Sequence, residues 1–468
     1  MLSVGAAPQI WAPWAAAFCT LRYVRHRSAF VGIPLTFIAW AIAYAIGWSG
    51  VLPFQGWLEF AVPATFGVFL ALPFAIDRLV APRLPGALAW LVLPVSWVSA
   101  EFVFRLAGFG TWGAVAYSQF GATWLLQTLS LFGMAAIAFA IGAFASCANT
   151  ALDTRSPLPV LPYAFALVLT LALGLVRVST APEQQTVRVA GVAIDNMKVF
   201  RNTWAPLSYG APLDETQAAT VRIEADALVD RLFERSAAAA DSGARIIVWS
   251  EANALIFSDA EADLIERGRA FAVDHNVLLF MSAAVMRPGA RLAENVILVI
   301  DDDGRLIDRY LKSHPTPGEM SAVGDGEIGL TRTEFGTIAW AICYDFDYPE
   351  LIRQAGLAGA SLLIDPAWEH AGMTPLHARM ATLRATENGA ALFRVTNGGL
   401  SIAADGYGRT IAEQAADPNT SRAFIADMPI GHALTPQSKI GDMFAYACLT
   451  LLLWCIGLAA RAESRRSQ

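Results

Sequence analysis

Three reactive side chains in the polar half of the chain each follow a short, strand-like apolar segment. They are Glu251, Lys312 and Cys343, in that order along the chain. In an acyl-transfer reaction a thiolate attacks a carbonyl carbon, a carboxylate takes and returns protons, and an ammonium with backbone N–H groups stabilises the oxyanion. Taken singly, each residue has a structural explanation, as a buried ion pair or as a core cysteine. A carboxylate, a lysine and a cysteine at successive strand ends together predict a catalytic site.

Cys343 differs from the other cysteines in its surroundings. The remaining four lie in long apolar stretches, where small core residues are expected: Cys19, Cys147, Cys448 and Cys455. The segment before Cys343 predicts a buried strand ending at the cysteine, and Pro349 predicts the start of a helix that Asp347 can cap. A thiol that faces a helix amino terminus is stabilised as thiolate. The sequence therefore predicts one reactive thiol and no disulfide framework.

The composition separates membrane-like segments from an ordinary globular segment. Hydrophobic residues make up 55% and charged residues 16% of the 468 residues, which is too apolar for an ordinary soluble protein. A bilayer core of about 30 Å needs about 20 apolar residues per helix. Seven segments meet or approach this length: 7–21, 29–49, 58–76, 86–104, 122–147, 159–177 and 442–461.

These segments predict three domains. A transmembrane helical bundle of about six membrane segments occupies 1–178, a globular domain occupies 179–441, and a final transmembrane helix with a short cytoplasmic tail occupies 442–468. Because arginine-rich loops face the cytoplasm, the alternation of basic and non-basic loops places 179–441 on the non-cytoplasmic side. The formal charge of −7, with no basic stripe, argues against nucleic acid as a partner.

The globular segment alternates strand-like and helical patterns. Strands are predicted at 187–194, 244–249, 277–285, 295–301, 337–344 and 361–366, and helices at 213–240, 259–274, 348–358 and 374–389. This alternation predicts a layered α/β domain with its polar chemistry at the strand ends.

At these residues the segment 186–430 resembles the carbon–nitrogen hydrolase (nitrilase) superfamily. The resemblance implies an αββα sandwich in which Glu251 is the general base, Lys312 stabilises the oxyanion and Cys343 is the nucleophile. It also implies that Glu319 helps to position the lysine. The backbone N–H of Tyr344 is expected to contribute to the oxyanion hole. No cofactor or metal is implied.

The membrane half resembles the apolipoprotein N-acyltransferase family in the segments 89–101, 108–112 and 116–119. The resemblance implies a multi-pass protein of the bacterial inner membrane with its catalytic domain on the periplasmic side. A phospholipid would then donate the acyl chain, and the amino-terminal amine of a diacylglyceryl lipoprotein would accept it.

Two other interpretations stay open at this point. A membrane-tethered amidase would use water as acceptor, and it is favoured by Asp345, where the acyltransferases have glutamate, and by the short interval between Lys312 and Cys343. A non-enzymatic membrane protein with a decayed hydrolase domain would act as a binding module. Retention of the glutamate, lysine and cysteine together argues against decay.

Overall fold

The computed structural model describes residues 3–196, 199–201, 215–287, 290–416 and 423–466. The chain divides into two compact units. The first, helical unit comprises Met1–Pro182, Pro375–Leu383 and Thr435–Gln468, and the second, sheet unit comprises Glu183–Thr374 and Arg384–Leu434. Residues 375–383, which the sequence analysis assigns to the globular domain, thus group with the helical unit.

The described part of the helical unit contains short and long α-helices. They are Ala12–Arg25, Ala29–Gly47, Leu58–Leu70, Leu72–Val80, Gly86–Ala89, Val92–Phe104, Thr123–Leu126, Leu129–Phe132, Ala135–Thr154, Leu161–Ser179, Pro436–Ile440 and Met443–Arg466. Six stretches within the described residues are long and apolar enough to cross a bilayer: Ala29–Gly47, Leu58–Arg83, Gly86–Phe109, Ala135–Thr154, Leu161–Ser179 and Met443–Arg465. The protein is therefore a membrane protein.

Two of the predicted membrane segments differ in the structure. The segment predicted at 7–21 forms the helix Ala12–Arg25, whose 14 residues extend only about 21 Å at about 1.5 Å per residue, short of a bilayer core of about 30 Å. The segment predicted at 122–147 is broken at Gly133, which has a φ of +62°, and the long helix begins only at Ala135. The described residues up to 179 therefore contain five apolar stretches that are long enough to cross a bilayer.

The sheet unit contains thirteen strands among its described residues. They are β1 (Thr186–Val192), β2 (Ile246–Trp249), β3 (Ala254–Phe257), β4 (Leu278–Met286), β5 (Glu294–Ile300), β6 (Leu306–Leu311), β7 (Gly329–Thr333), β8 (Gly336–Trp340), β9 (Leu362–Trp368), β10 (Ala391–Asn397), β11 (Leu400–Ala404), β12 (Thr410–Ala415) and β13 (Phe424–Pro429). One sheet has the order β13-β1-β2-β4-β5-β6 with β3 beside β4, and the other has the order β12-β11-β10-β9-β8-β7.

The two sheets face each other, and helices cover them. Gly191 of β1 lies directly against Val395 of β10, where a larger side chain would not fit. The helices Glu215–Asp241 and Glu261–His275 pack on the first sheet. Every residue of β4 is buried, as expected for a strand covered on both faces. Pro349–Leu357 is a further helix of this unit, and the helix Leu376–Asn388 begins in the helical unit and ends in the sheet unit. The arrangement confirms the predicted α/β sandwich.

Candidate active site

Glu251 lies just beyond the end of β2, as its position in the sequence predicts. Its carboxylate is 4% exposed and accepts two hydrogen bonds from neutral groups, from the side chain of Asn295 to Oε1 (2.8 Å) and from the backbone N–H of Trp368 to Oε2 (2.8 Å). The next residue, Ala252, has a left-handed backbone with a φ of +48°. The chain thus turns sharply at the strand end and directs the carboxylate into the interior.

Lys312 directly follows β6, and its ammonium lies between two carboxylates. The Nζ atom donates to Glu251 Oε1 (2.7 Å) and to Glu319 Oε2 (2.8 Å). Burial alone lowers the pKa of the ammonium, but the negative charges of Glu251, Glu319 and Cys343 outweigh burial and hold that pKa well above its usual range. The lysine is therefore a permanent cation in this site.

Glu319 binds the lysine from the opposite side and is itself held by its own turn. Its Oε2 accepts from the backbone N–H (2.9 Å) and the hydroxyl (3.1 Å) of Thr316, and its Oε1 accepts from Asn295 (3.1 Å). Burial raises the pKa of this carboxyl, but the charge and hydrogen bond of Lys312 lower it by more. Asn295 therefore connects both glutamates, although the sequence analysis assigns it no role.

Cys343 is the first residue of a 3₁₀ turn that ends at Asp347. The preceding strand ends at Trp340 rather than at the cysteine, and the following helix begins at Pro349 with Tyr348, not Asp347, as its N-cap. Cys343 has a φ of +49°, a left-handed conformation that costs a non-glycine residue about 1–3 kcal/mol and is found mainly at functional sites. Its backbone N–H donates to Asp365 Oδ1 (3.0 Å).

Trp368 connects the cysteine with the glutamate through its backbone. Its carbonyl oxygen accepts from Cys343 Sγ (3.8 Å), while its N–H donates to Glu251. One peptide segment at the end of β9 thus contacts both the thiol and the carboxylate. The structure brings Glu251, Lys312, Glu319 and Cys343 into one site, as the order of strand ends predicts.

A second buried cation, Arg394, lies beside the thiol. Its guanidinium is fully buried, pairs with the carboxylates of Asp365 and Glu369, and approaches Cys343 Sγ to 3.9 Å through Nη2. Burial lowers the pKa of the guanidinium, but the negative charges of Asp365, Glu369 and Cys343 raise it well above its usual value. Lys312 and Arg394 therefore both stabilise a thiolate at Cys343.

Arg394 is not among the site residues predicted from the sequence, although the sequence contains a signal for it. The residue interrupts the apolar segment Ala391-Leu-Phe-Arg-Val395, and a charged residue in the middle of a buried strand requires a partner. The partners Asp365 and Glu369 lie 29 and 25 residues earlier on and just after β9, so only strand pairing brings them together.

Asp345 organises the backbone around the cysteine. Its Oδ2 accepts from the hydroxyl of Tyr310 (2.7 Å) and the N–H of Ile342 (3.0 Å), and its Oδ1 accepts from the N–H of His314 (2.7 Å). The lysine segment and the cysteine turn are thus joined through one buried carboxylate. The neighbouring Tyr344 packs edge-on against Tyr348, and the oxyanion role of its N–H stays a prediction.

The described residues contain no group of three or more His, Cys, Asp or Glu side chains that could hold a metal ion. The site instead offers a thiol, two buried cations and buried carboxylates. This set can attack a carbonyl carbon, move a proton and stabilise negative charge.

Comparison with known proteins defines the class of the sheet unit. Residues 216–431 match the carbon–nitrogen hydrolase family model. Among solved structures, an amidase of the nitrilase superfamily from Nesterenkonia is 19% identical, with a TM-score of 0.40, and the alignment covers 53% of this chain and 93% of the amidase. By the family match, residues 216–431 are thus similar to carbon–nitrogen hydrolases.

The curated relatives extend the similarity to the membrane helices. The apolipoprotein N-acyltransferase of Geobacter metallireducens is 25% identical, and the alignment covers 100% of this chain and 94% of the relative. The apolipoprotein N-acyltransferase of Bradyrhizobium diazoefficiens is 28% identical over 87% of this chain and 81% of the relative. The chain is therefore similar to apolipoprotein N-acyltransferases over most of its length, which confirms the resemblance predicted from the sequence. The relatives and the hydrolase domain together support an N-acyltransferase.

Proposed function

We propose that this protein transfers a fatty acyl chain from a phospholipid to the amino-terminal amine of a diacylglyceryl lipoprotein, through a thioester on Cys343. A thiol, a carboxylate and an ammonium would equally suit an amidase. The observation that favours a lipid donor is the presence of six apolar helices among the described residues of the same chain, since they hold the enzyme where phospholipids and lipoproteins are found.

In the first half-reaction Glu251 takes the thiol proton, and the sulfur of Cys343 attacks the ester carbonyl of the phospholipid. The carbon–sulfur bond forms, the carbon–oxygen bond breaks, and Glu251 returns the proton to the departing lysophospholipid alcohol. Negative charge develops on the carbonyl oxygen in between, and we assign its stabilisation to Lys312 with the N–H of Tyr344. The hydrogen bond between Lys312 and Glu251 (2.7 Å) supports this division of roles.

In the second half-reaction the neutral amine of the lipoprotein attacks the thioester. A carbon–nitrogen bond forms, the carbon–sulfur bond breaks, and the sulfur leaves as a thiolate. Glu251 takes the amine proton and returns it to the sulfur, which restores the starting state. The buried cations Lys312 and Arg394 assist this step because they stabilise the departing thiolate.

The catalytic domain would lie on the periplasmic side of a bacterial inner membrane. Arginines precede the first membrane-spanning helix and then lie at the ends of alternate helices: Arg22, Arg25, Arg27, Arg78, Arg83, Arg155, Arg461, Arg465 and Arg466. The positive-inside rule assigns the side of these arginines to the cytoplasm. The sheet unit follows the helix Leu161–Ser179 and precedes the helix Met443–Arg466, which supports its position on the opposite side.

The decisive test is the intact mass of the purified protein after incubation with phospholipid. We expect a mass increment of one fatty acyl chain on the wild type and none on Cys343→Ala. Cys448→Ala, which removes another buried cysteine, serves as the matched control and keeps the increment. A diacylglyceryl-cysteine peptide should remove the acyl group and gain it as an amide.

Two results would contradict the proposal. If no phospholipid acylates a protein whose Cys343 still reacts with an alkylating probe, the enzyme is not a phospholipid acyltransferase. If the acyl group forms but water discharges it as fast with the peptide as without it, the protein is a membrane-tethered hydrolase.

A further inference from the structure

The helical unit contains a cavity of about 880 Å³ that includes none of the residues discussed above for catalysis. It is lined mainly by the long helices Ala135–Thr154 and Leu161–Ser179 and by the short helical segment between 125 and 132. This volume lies within the range of about 300–1,000 Å³ that is usual for small-molecule sites.

The sequence explains why the two long helices stand apart here. At one end Gly174 lies against the backbone of Trp124, where a β-carbon would overlap the carbonyl group. At the other end Tyr163 contacts Phe144, with ring centroids 6.1 Å apart. Between these contacts the facing side chains are mostly small, including Ala136, Ala140, Ala143 and Ala166. Small residues between two fixed contacts leave the space unfilled.

Polar groups lie at both ends of this cavity. Arg177 lines one end, where its Nε donates to Gln127 Oε1 (3.1 Å). Tyr163 lines the other end, and its buried hydroxyl has no hydrogen-bond partner. Along the helix these two residues are about 21 Å apart, at about 1.5 Å per residue. The lining contains no Asp or Glu, so no carboxylate of the lining would repel an anionic group.

We propose that this cavity binds a glycerophospholipid, with the phosphate at Arg177 and one acyl chain along the alanine-lined wall. A guanidinium is well suited to a phosphate oxyanion. The length of about 21 Å exceeds half of a bilayer core of about 30 Å, so it accommodates a chain from a single leaflet. The unpartnered Tyr163 hydroxyl lies near the expected end of that chain, where an ester or water oxygen of the opposite leaflet can reach it.

Native mass spectrometry of the full-length protein in detergent tests this proposal. The protein is titrated with phosphatidylglycerol, and the fraction that carries one lipid is measured. We expect saturable binding of one lipid to the wild type, binding at least about 10-fold weaker for Arg177→Gln because a charge-assisted hydrogen bond is lost, and no binding at this site for Ala166→Phe, which fills the cavity.

Matched controls separate the site from general lipid affinity. Arg155→Gln removes an arginine from a different helix end, and Ala172→Phe enlarges an exposed alanine on the same helix. Neither residue lines the cavity, so both variants should bind as the wild type does. Equal lipid binding by all five proteins would overturn the proposal. Equal binding of palmitate and phosphatidylglycerol, with no effect of Arg177→Gln, would overturn the assignment of the phosphate.

A second measurement needs no substitution. Cys147 lines the cavity, so a bound acyl chain should shield it from a hydrophobic maleimide. We expect phosphatidylglycerol to slow modification of Cys147 at least about 5-fold, an effect of about 1 kcal/mol, while inorganic phosphate has no effect. The modified cysteine is identified by peptide mapping, so other thiols do not interfere. An unchanged rate at saturating lipid would contradict occupation of the cavity.

Discussion

Two buried cations flank Cys343, and each lies between two carboxylates, yet their side chains suit different tasks. Lys312 pairs with Glu251 and Glu319, whereas Arg394 pairs with Asp365 and Glu369. The lysine follows the end of a strand and carries a compact ammonium, which can form a new hydrogen bond without losing its charge partners. The arginine lies in the middle of a strand and presents a planar guanidinium that binds two carboxylates at fixed angles.

The different surroundings of Lys312 and Arg394 suit them to different roles, a reactive one for the lysine and a positioning one for the arginine. The partners of Lys312 also accept hydrogen bonds from neutral donors, Asn295 and the N–H of Trp368, which orient the two carboxylates without adding charge. One partner of Arg394 also fixes the backbone at the cysteine, because Asp365 accepts a hydrogen bond from the N–H of Cys343. We therefore expect Lys312 to determine the rate of chemistry and Arg394 to determine the geometry and charge of the thiol.

Replacing each of the two cations by the other type, one at a time, should give the largest effect on the rate of acyl-adduct formation. Lys312→Arg keeps the charge but cannot place a single N–H at the oxyanion, so we expect acyl-adduct formation to slow at least about 100-fold, the cost of losing one oxyanion donor. Arg394→Lys also keeps the charge and should slow the same step only about 10-fold, because positioning is weakened rather than lost. Intact-mass time courses measure both rates. The opposite order of effects would reverse the roles assigned to the two residues.

Removal of the second cation should affect stability as well as the thiol. Arg394→Met leaves Asp365 and Glu369 buried without a cation, so we expect the free energy of unfolding to fall by about 3–5 kcal/mol. We also expect the pH midpoint for alkylation of Cys343 to rise, because a positive charge 3.9 Å from the sulfur is lost.

Two variants make this second prediction specific. Compared with Arg394→Met, Arg394→Lys should bring the pH midpoint for alkylation of Cys343 part of the way back to the wild-type value. A purely structural role of Arg394 would not require this return. Arg188→Met removes an arginine whose ion pair with Asp427 is largely exposed, so its effect on stability should be below about 1 kcal/mol. An unchanged alkylation midpoint in folded Arg394→Met would limit Arg394 to a structural role.

The smallest effect on stability is expected at Glu294, where one carboxylate lies between two arginines and the ion pairs are partly exposed. Glu294 lies between Arg287 and Arg309, and hydrogen bonds from Arg287 and then Arg309 lower its pKa to about 2. This value is below the unfolded pKa of about 4.3, so the stabilisation is present above about pH 4.3 and is lost as the pH falls through about 2. Glu294→Gln should therefore lower the thermal midpoint at pH 7 and have progressively less effect below pH 4.3.

Glu224→Gln, at an exposed glutamate of the helix Glu215–Asp241, provides the control for this pH dependence. Its thermal midpoint should follow that of the wild type at each pH. A deficit of Glu294→Gln that persists unchanged at pH 2 would show that the ion pairs of Glu294 are not its cause.

The residues of the site that could be predicted from the sequence are those that lie at strand ends. Glu251, Lys312 and Cys343 follow β2, β6 and β8, and the structure brings the glutamate and lysine into contact and places the cysteine against the same Trp368 backbone. The positions of Asp365 and Arg394 were not predicted as site positions, because a charged residue inside a buried strand has no local pattern that names its partner. Asn295 was missed because its two glutamate partners lie 44 and 24 residues away in the sequence.

The membrane segments also have features that the sequence predicts and features that only packing decides. Mean apolarity over about 20 residues is a local property, and it identifies all six long helices from the sequence. The break at Gly133 and the shortness of the helix Ala12–Arg25 are decided by how the chain turns and packs, so apolarity alone placed these two segments incorrectly. Local composition predicts which segments can cross a bilayer, and packing decides where each helix begins.

The sequence by itself determined the types of reactive groups, the alternation of strands and helices, and the separation of apolar from globular segments, because each is written in neighbouring residues. Only the tertiary structure decided that a second buried cation lies beside Cys343, that Trp368 links the thiol to Glu251, and that two membrane helices leave a cavity between them. These features depend on contacts between residues far apart in the chain. Such contacts arise from strand pairing and helix packing, which no local pattern specifies.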